Sequence, residues 1–63
     1  MIRITVWDIE GGDRKVVLGD FESLQMTDND LRDANGNVVL HWFDFTWFDP
    51  DGNGWYDWTV EAV

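Results

Sequence analysis

Apolar and polar residues alternate from Ile2 to Asp8, with Ile2, Ile4 and Val6 on one face and Arg3, Thr5 and Trp7 on the other. A period of two marks a half-buried strand. Gly11-Gly12-Asp13 breaks the alternation and Arg14 to Leu18 is β-rich again, so the first two strands read as a hairpin with a glycine turn. Gly19 ends or bulges the second strand.

Asp20 to Arg32 is the least regular stretch, because Phe21, Leu24 and Met26 follow neither a helical nor a strand period. Within it, Thr27-Asp28-Asn29-Asp30 suits either the cap of a single helical turn, with Thr27 or Asp28 accepting free backbone N–H groups, or a plain polar turn. The polar turn is the preferred reading. Asn35-Gly36 is the strongest short-range hairpin signal, since both residues tolerate the positive φ of a two-residue type I′ turn.

The longest strand is expected from Asn37 to Phe48, where nearly every residue is apolar or aromatic. Val39, His41, Phe43, Phe45 and Trp47 share one face, and Val38, Leu40, Trp42 and Phe48 share the other with Asp44 and Thr46. Such a strand is covered on both sides, at least in its first half. Asp49-Pro50-Asp51-Gly52-Asn53-Gly54 is a turn-rich loop, and Trp55 to Ala62 alternates again, which predicts a second, aromatic hairpin from the last two strands. The sum is an all-β antiparallel meander of four or five strands with little or no helix, built as a small open barrel or a single sheet. No internal repeat, linker or low-complexity tract is evident.

Length limits this to one small domain over residues 1–63, near the size at which a single core only just outweighs the entropy lost on folding. There is no cysteine, which removes disulfides and thiolate metal sites from the stabilising devices. Five Trp, four Phe and one Tyr supply aromatic packing and argue for a folded chain, since acidic disordered chains are poor in these residues. Met1 to Val6 lacks the basic leader, long apolar run and small-residue cleavage site of a signal peptide, and no apolar run reaches membrane-spanning length. A cytosolic, cytoplasmic protein is the expectation.

The net charge is −9, from ten Asp and three Glu against Arg3, Arg14, Lys15 and Arg32. That sign disfavours direct binding of nucleic acid and of anionic membranes. A basic protein surface, a metal cation or a neutral ligand remains, as does acidity that serves solubility alone. Acids recur two apart at Asp8 and Glu10, Asp20 and Glu22, Asp28 and Asp30, and Asp49 and Asp51. On an extended strand each pair falls on one face about 6.5–7 Å apart, close to the spacing of nucleic-acid phosphates, so an inhibitor that mimics DNA toward a nucleic-acid-binding protein is one reading.

Asp49 to Asp57 resembles the first half of an EF-hand-type calcium loop, with oxygens of Asp49, Asp51, Asn53 and Asp57 at positions one, three, five and nine and Gly54 at the sharp turn. The twelfth position holds Val60 rather than Glu, and the flanks read as strands, so the resemblance covers one loop and implies calcium there without an EF-hand fold. A metal-free turn is the competing reading. His41, the single histidine, is expected as a hydrogen-bonded core residue, and Ser23 has no nucleophile context. With no phosphate-cradling loop and little concave volume, catalysis is not expected.

The leading expectation is a non-catalytic interaction protein that binds a basic protein surface, with Trp7, Asp44, Trp47, Asp49, Asp51 and Trp55 as contact residues. Trp7, Trp47 and Trp55 are read either as exposed rings that anchor an interface or stack on sugar, or as rings that cover the far side of a thin sheet. A calcium-stabilised β module, a structural subunit that needs a homo-oligomer, and a carbohydrate-binding module are the alternatives.

Overall fold

The computed structural model describes residues 1–8 and 14–63, so the expected Gly11-Gly12-Asp13 turn lies outside the described residues. The fold is all-β and antiparallel, and none of the described residues is helical. Among the described residues there are eight short strands in two sheets, where the sequence suggests four or five in one meander. They are β1 (Ile2–Asp8), β2 (Arg14–Phe21), β3 (Leu24–Thr27), β4 (Asp30–Asp33), β5 (Val38–Phe43), β6 (Thr46–Phe48), β7 (Gly54–Trp55) and β8 (Asp57–Ala62).

The first sheet has the order β2-β1-β8. Its central strand behaves as its alternation requires: Ile4 and Val6 are fully buried, and each side chain of this kind contributes about 1.5–3 kcal/mol on leaving water. Within the β1–β2 pairing, Thr5 sits opposite Val17 and Ile4 opposite Gly19, which makes Leu18 the extra residue of a β-bulge. The bulge that Gly19 suggests is therefore present, and the strand continues through it to Phe21.

The second sheet is a sequential meander, β3-β4-β5-β6-β7. Thr27 pairs with Asp30 across a turn at Asp28-Asn29, so the polar turn forms and no helical turn does. Asp28 takes φ 53°, a left-handed conformation that Asp tolerates well. At Asn35-Gly36 the hairpin forms with a different turn. Gly36 alone is left-handed, its N–H donates to the Asp33 carbonyl at 3.0 Å, and Asp33 N–H donates to the Asn37 carbonyl at 3.0 Å. That pattern is a three-residue loop with glycine at its left-handed position.

The expected long strand is two strands. Asp44 and Phe45, at φ 53° and 59°, fold it into a two-residue turn, so that Trp42 faces Trp47 and Phe43 faces Thr46. Val39 is the extra residue of a second bulge, between the Leu31–Leu40 and Arg32–Val38 pairs, and both Val39 and Leu40 are buried. The predicted strand over Trp55 to Ala62 also divides. Trp55 pairs with Trp47, the Tyr56 N–H donates to the Trp7 carbonyl at 2.9 Å, and β8 then pairs with β1 in the other sheet. The second hairpin is thus only β6 with β7, and the sheets meet around Ile4, Val6, Leu31, Val39, Leu40 and Trp55, with Leu18, Phe21, Leu24, Trp47 and Trp58 packed against them.

Candidate interaction surface

Two turns at the same end of the second sheet share one chemistry. In Asp33-Ala34-Asn35-Gly36-Asn37 the Asp33 Oδ1 accepts the N–H groups of Asn35 and Asn37 at 2.9 and 3.0 Å. In Asp49-Pro50-Asp51-Gly52-Asn53 the Asp49 Oδ1 accepts those of Asp51 and Asn53, both at 3.0 Å. Each leading Asp satisfies backbone donors that the strands leave free, and each glycine takes the positive φ, 83° and 87°, that closes the loop. The chain therefore does contain a short repeated element, Asp-x-Asx-Gly-Asn, contrary to the expectation of none.

This geometry accounts for the calcium-like loop. The second oxygen of Asp49 accepts from Asn53 Nδ2 at 3.2 Å and from the Trp55 indole N–H at 3.1 Å, so both oxygens are turned inward. Asp57 lies on β8 in the other sheet, opposite Trp7, and its Oδ1 accepts the Trp58 N–H at 2.8 Å. Asp49, Asp51, Asn53 and Asp57 do not converge, and among the described residues no three His, Asp or Glu side chains form a metal-holding group. Partial burial pushes the Asp49 carboxyl up, but the donors from Trp55, Asn53 and Asp51 outweigh it and hold it below the usual carboxylate range. Those internal hydrogen bonds engage both oxygens of Asp49 within the loop.

Trp55 is correspondingly no surface anchor: it is 4% exposed, closes the core, and satisfies its N–H on Asp49. Trp7 is half-buried on the outer face of the first sheet, with Lys15 Nζ 5.8 Å from its ring centroid. Trp47 is half-buried within a row of rings. It packs on Trp42 at 4.9 Å and edge-on against Trp58 at 5.5 Å, and Trp42 meets Phe45 edge-on at 6.3 Å. The row runs from the β5–β6 turn to the first sheet. His41 is not in the core either. It is exposed, stacks on Phe43 at 6.2 Å, and brings Nδ1 to 2.5 Å from Asp30 Oδ1, because its neighbour Leu40 points into the core and alternation turns His41 to the opposite face.

The cations are all engaged within the chain. Arg3 forms a forked pair with Asp20 at 2.8 and 3.1 Å, and that hydrogen bond holds the Asp20 carboxyl below its ordinary range. Arg14 lies 5.0 Å over the Trp55 ring. Arg32 donates to Asp30 at 2.8 Å, to Thr27 Oγ1 at 3.2 Å and to the Gly36 carbonyl at 2.8 Å, tying the two ends of β4 together. The Asp30 carboxyl is lowered first by the His41 hydrogen bond and then by Arg32.

This sorts the acids that recur two apart. In each pair with both members described, one carboxylate is tied inward, namely Asp20, Asp30 and Asp49, and the other, Glu22, Asp28 or Asp51, makes no salt bridge with a described residue. The fourth such pair, Asp8 and Glu10, is incomplete, because Glu10 lies outside the described residues. A hollow of about 230 Å³ between the two repeated turns has Leu18, Phe21, Val38, Val39 and Pro50 as its apolar walls. Two of its three rim carboxylates, Asp33 and Asp49, are the turn caps.

The β5–β6 turn is the feature that sequence reasoning misses. Asp44 stands there with no salt-bridge partner among the described residues, beside Phe43 at 62% exposure and Phe45 at 88%. The Trp42 N–H donates to the Asn29 carbonyl at 2.7 Å, which brings the Asp28 turn alongside. The missed signal is the dipeptide Asp44-Phe45 itself: Asp is a turn former, and it interrupts an otherwise unbroken apolar run. Comparison of the chain with protein-family models, curated proteins and solved structures finds no match.

Proposed function

We propose that the chain is a non-catalytic acidic binding module that docks on a basic surface of another protein. The observation that carries this reading is the internal commitment of all four cations: Arg3, Arg14, Lys15 and Arg32 each pair with a carboxylate or a ring of the same chain. Outward-facing carboxylates such as Glu22, Asp28, Asp44 and Asp51 then set the sign of the surface. A one-signed field of this size speeds encounter with a cationic partner and repels phosphate backbones. Exposed rings beside those carboxylates provide the short-range contacts that charge alone does not.

The test is capture of a partner from a native lysate on the immobilised chain, followed by a salt gradient. A basic protein should elute as the screening length falls from about 10 Å at 0.1 M salt toward 3 Å at 1 M. A partner whose affinity is indifferent both to salt and to Asp28→Asn with Asp44→Asn would overturn the reading.

A further inference from the structure

The Asp44-Phe45 turn combines three properties that fold stability does not require together. Both residues are left-handed, and for a bulky aromatic side chain that conformation is a true outlier. A type I′ turn favours glycine at its second position, where this chain has Phe45. The ring gains little burial in return, being 88% exposed. Yet it is not loose, because it stands edge-on to Trp42, 6.3 Å between centroids at 84°, and Trp42 is held by Trp47 and Trp47 by Trp58. Strain retained at an exposed position marks functional sites, and a ring fixed before binding loses less entropy on contact.

The charge around this ring is of one sign. Asp44 precedes it and Asp28 lies on the adjoining hairpin turn. Arg32, which reaches Thr27 beside Asp28, is committed to Thr27, Asp30 and the Gly36 carbonyl, and His41 is committed to Asp30. The Phe45 face is thus open, next to carboxylates that make no salt bridge with a described residue. A guanidinium matches both elements at once: its plane stacks on an aromatic face, and its N–H fork takes a carboxylate. An ammonium makes the charge contact but lacks the flat surface.

We infer that the β5–β6 turn is an arginine-docking site, in which Phe45 stacks on a guanidinium of the partner protein and Asp44 pairs with it, Asp28 adding attraction from the neighbouring turn. This rests on the proposed binding to a basic protein and names the place and the side chain that make the contact. The site has a stability cost built into it, and that makes it testable.

The experiment titrates the ¹⁵N-labelled chain with an oligoarginine peptide and, separately, an oligolysine peptide of equal length, following the backbone amides and the indole N–H signals. Oligoarginine should bind more tightly than oligolysine, with the largest shifts at Trp42 to Phe45 and Asp28. Phe45→Gly should raise the melting temperature by relieving the strained turn, yet weaken oligoarginine binding roughly three- to tenfold and erase the preference over lysine. Phe45→Tyr should keep the preference, and Val17→Thr, at an exposed position on the edge strand β2 of the other sheet, should leave it unchanged.

Equal binding of the two peptides, or shifts centred on other carboxylates and insensitive to Phe45→Gly, would overturn the docking site while leaving the charge-based function standing. Absence of binding by either peptide at low salt would overturn both. Loss of the Phe45 signals on concentrating the chain alone, or on adding a neutral oligosaccharide, would assign the ring to a second copy or to a sugar and overturn the arginine assignment.

Discussion

The Trp55 indole N–H donates to Asp49 Oδ2 across 3.1 Å, and this bond joins the β6–β7 loop of the second sheet to the ring that closes the core. Asp49 begins the loop, Trp55 ends it, and the backbone donors of Asp51 and Asn53 fill the other carboxylate oxygen. A carboxylate so placed serves as the loop's internal counter-group. Replacing it therefore acts on the fold before it acts on any partner.

Asp49→Asn should destabilise the chain by about 1–3 kcal/mol, the range for losing a charge-assisted hydrogen bond and leaving a partly buried donor poorly matched. Thermal unfolding followed by tryptophan fluorescence reads this, Trp55 being one of the five reporting rings. Asp51→Asn, two residues on and outward-facing, should leave the melting point within error. Equal effects at the two positions would show that the indole bond contributes nothing.

The acid side of the stability curve should carry the three inward carboxylates. Asp20, Asp30 and Asp49 all have folded-state pKa values below their ordinary value of about 3.9. A lowered carboxyl contributes stability that is fully present above the unfolded pKa and lost as pH falls through the folded one. The gap between wild type and Asp30→Asn should consequently be present at about pH 5 and narrow below about pH 4. Comparing the two curves cancels the repulsion among the remaining acids, which both proteins share. A gap that is constant down to pH 2 would mean that Asp30 interacts equally well when protonated.

Gly54 is required for proximity and not for its φ. A Cβ built there would meet Thr46 Cγ2 at 3.0 Å and Phe48 Cε1 at 3.5 Å, inside the short β6–β7 pairing. Gly54→Ala should cost about 1 kcal/mol or more through overpacking. Thr46→Ser removes the crowding methyl and keeps the hydroxyl that donates to the Asp44 carbonyl, so the double variant should recover much of the loss. Additive losses in denaturant unfolding would place the crowding elsewhere.

Much of the fold is legible because backbone pairing follows the pattern of the side chains. The alternation of β1 predicts its two faces, and the glycine after Leu18 predicts the bulge. Illegible parts arise where one residue type serves two purposes. Asp49, Asp51 and Asn53 have the spacing of calcium ligands, yet Asp49 caps the turn by accepting from the other two, and its further partner, the Trp55 indole, is not a residue that a ligand pattern considers. Asp44-Phe45 hides a turn because its second residue is a strand former held in the left-handed region. Trp55 and Phe45 then exchange their expected roles: the ring at a strand end is buried, and the ring inside the apolar run is displayed.

The same inversion predicts how tryptophan variants will behave. Trp55→Ala removes a ring that is 4% exposed, together with the partner of Arg14 and of Asp49, so it should cost about 3–5 kcal/mol, enough to unfold a chain of this size. Any loss of binding in that variant would report unfolding.

The outward and inward acids should separate cleanly when stability and binding are measured on the same variants. Neutralising Asp28 and Asp44 together removes two carboxylates that make no salt bridge with a described residue, so the melting point should hold or rise as self-repulsion falls. Association with a cationic partner should slow, and its dependence on salt should flatten, because the field that steers the encounter has weakened. Neutralising Asp20 and Asp49 changes the net charge by the same amount but breaks the Arg3 fork and the Trp55 bond. That pair should lower the melting point, and while the protein stays folded it frees Arg3 to face solvent. Stopped-flow association across a salt series, with melting curves on the same samples, distinguishes the two pairs. Identical effects of both on association rate would mean that net charge alone governs binding and that the placement of carboxylates around the β5–β6 turn has no part in it.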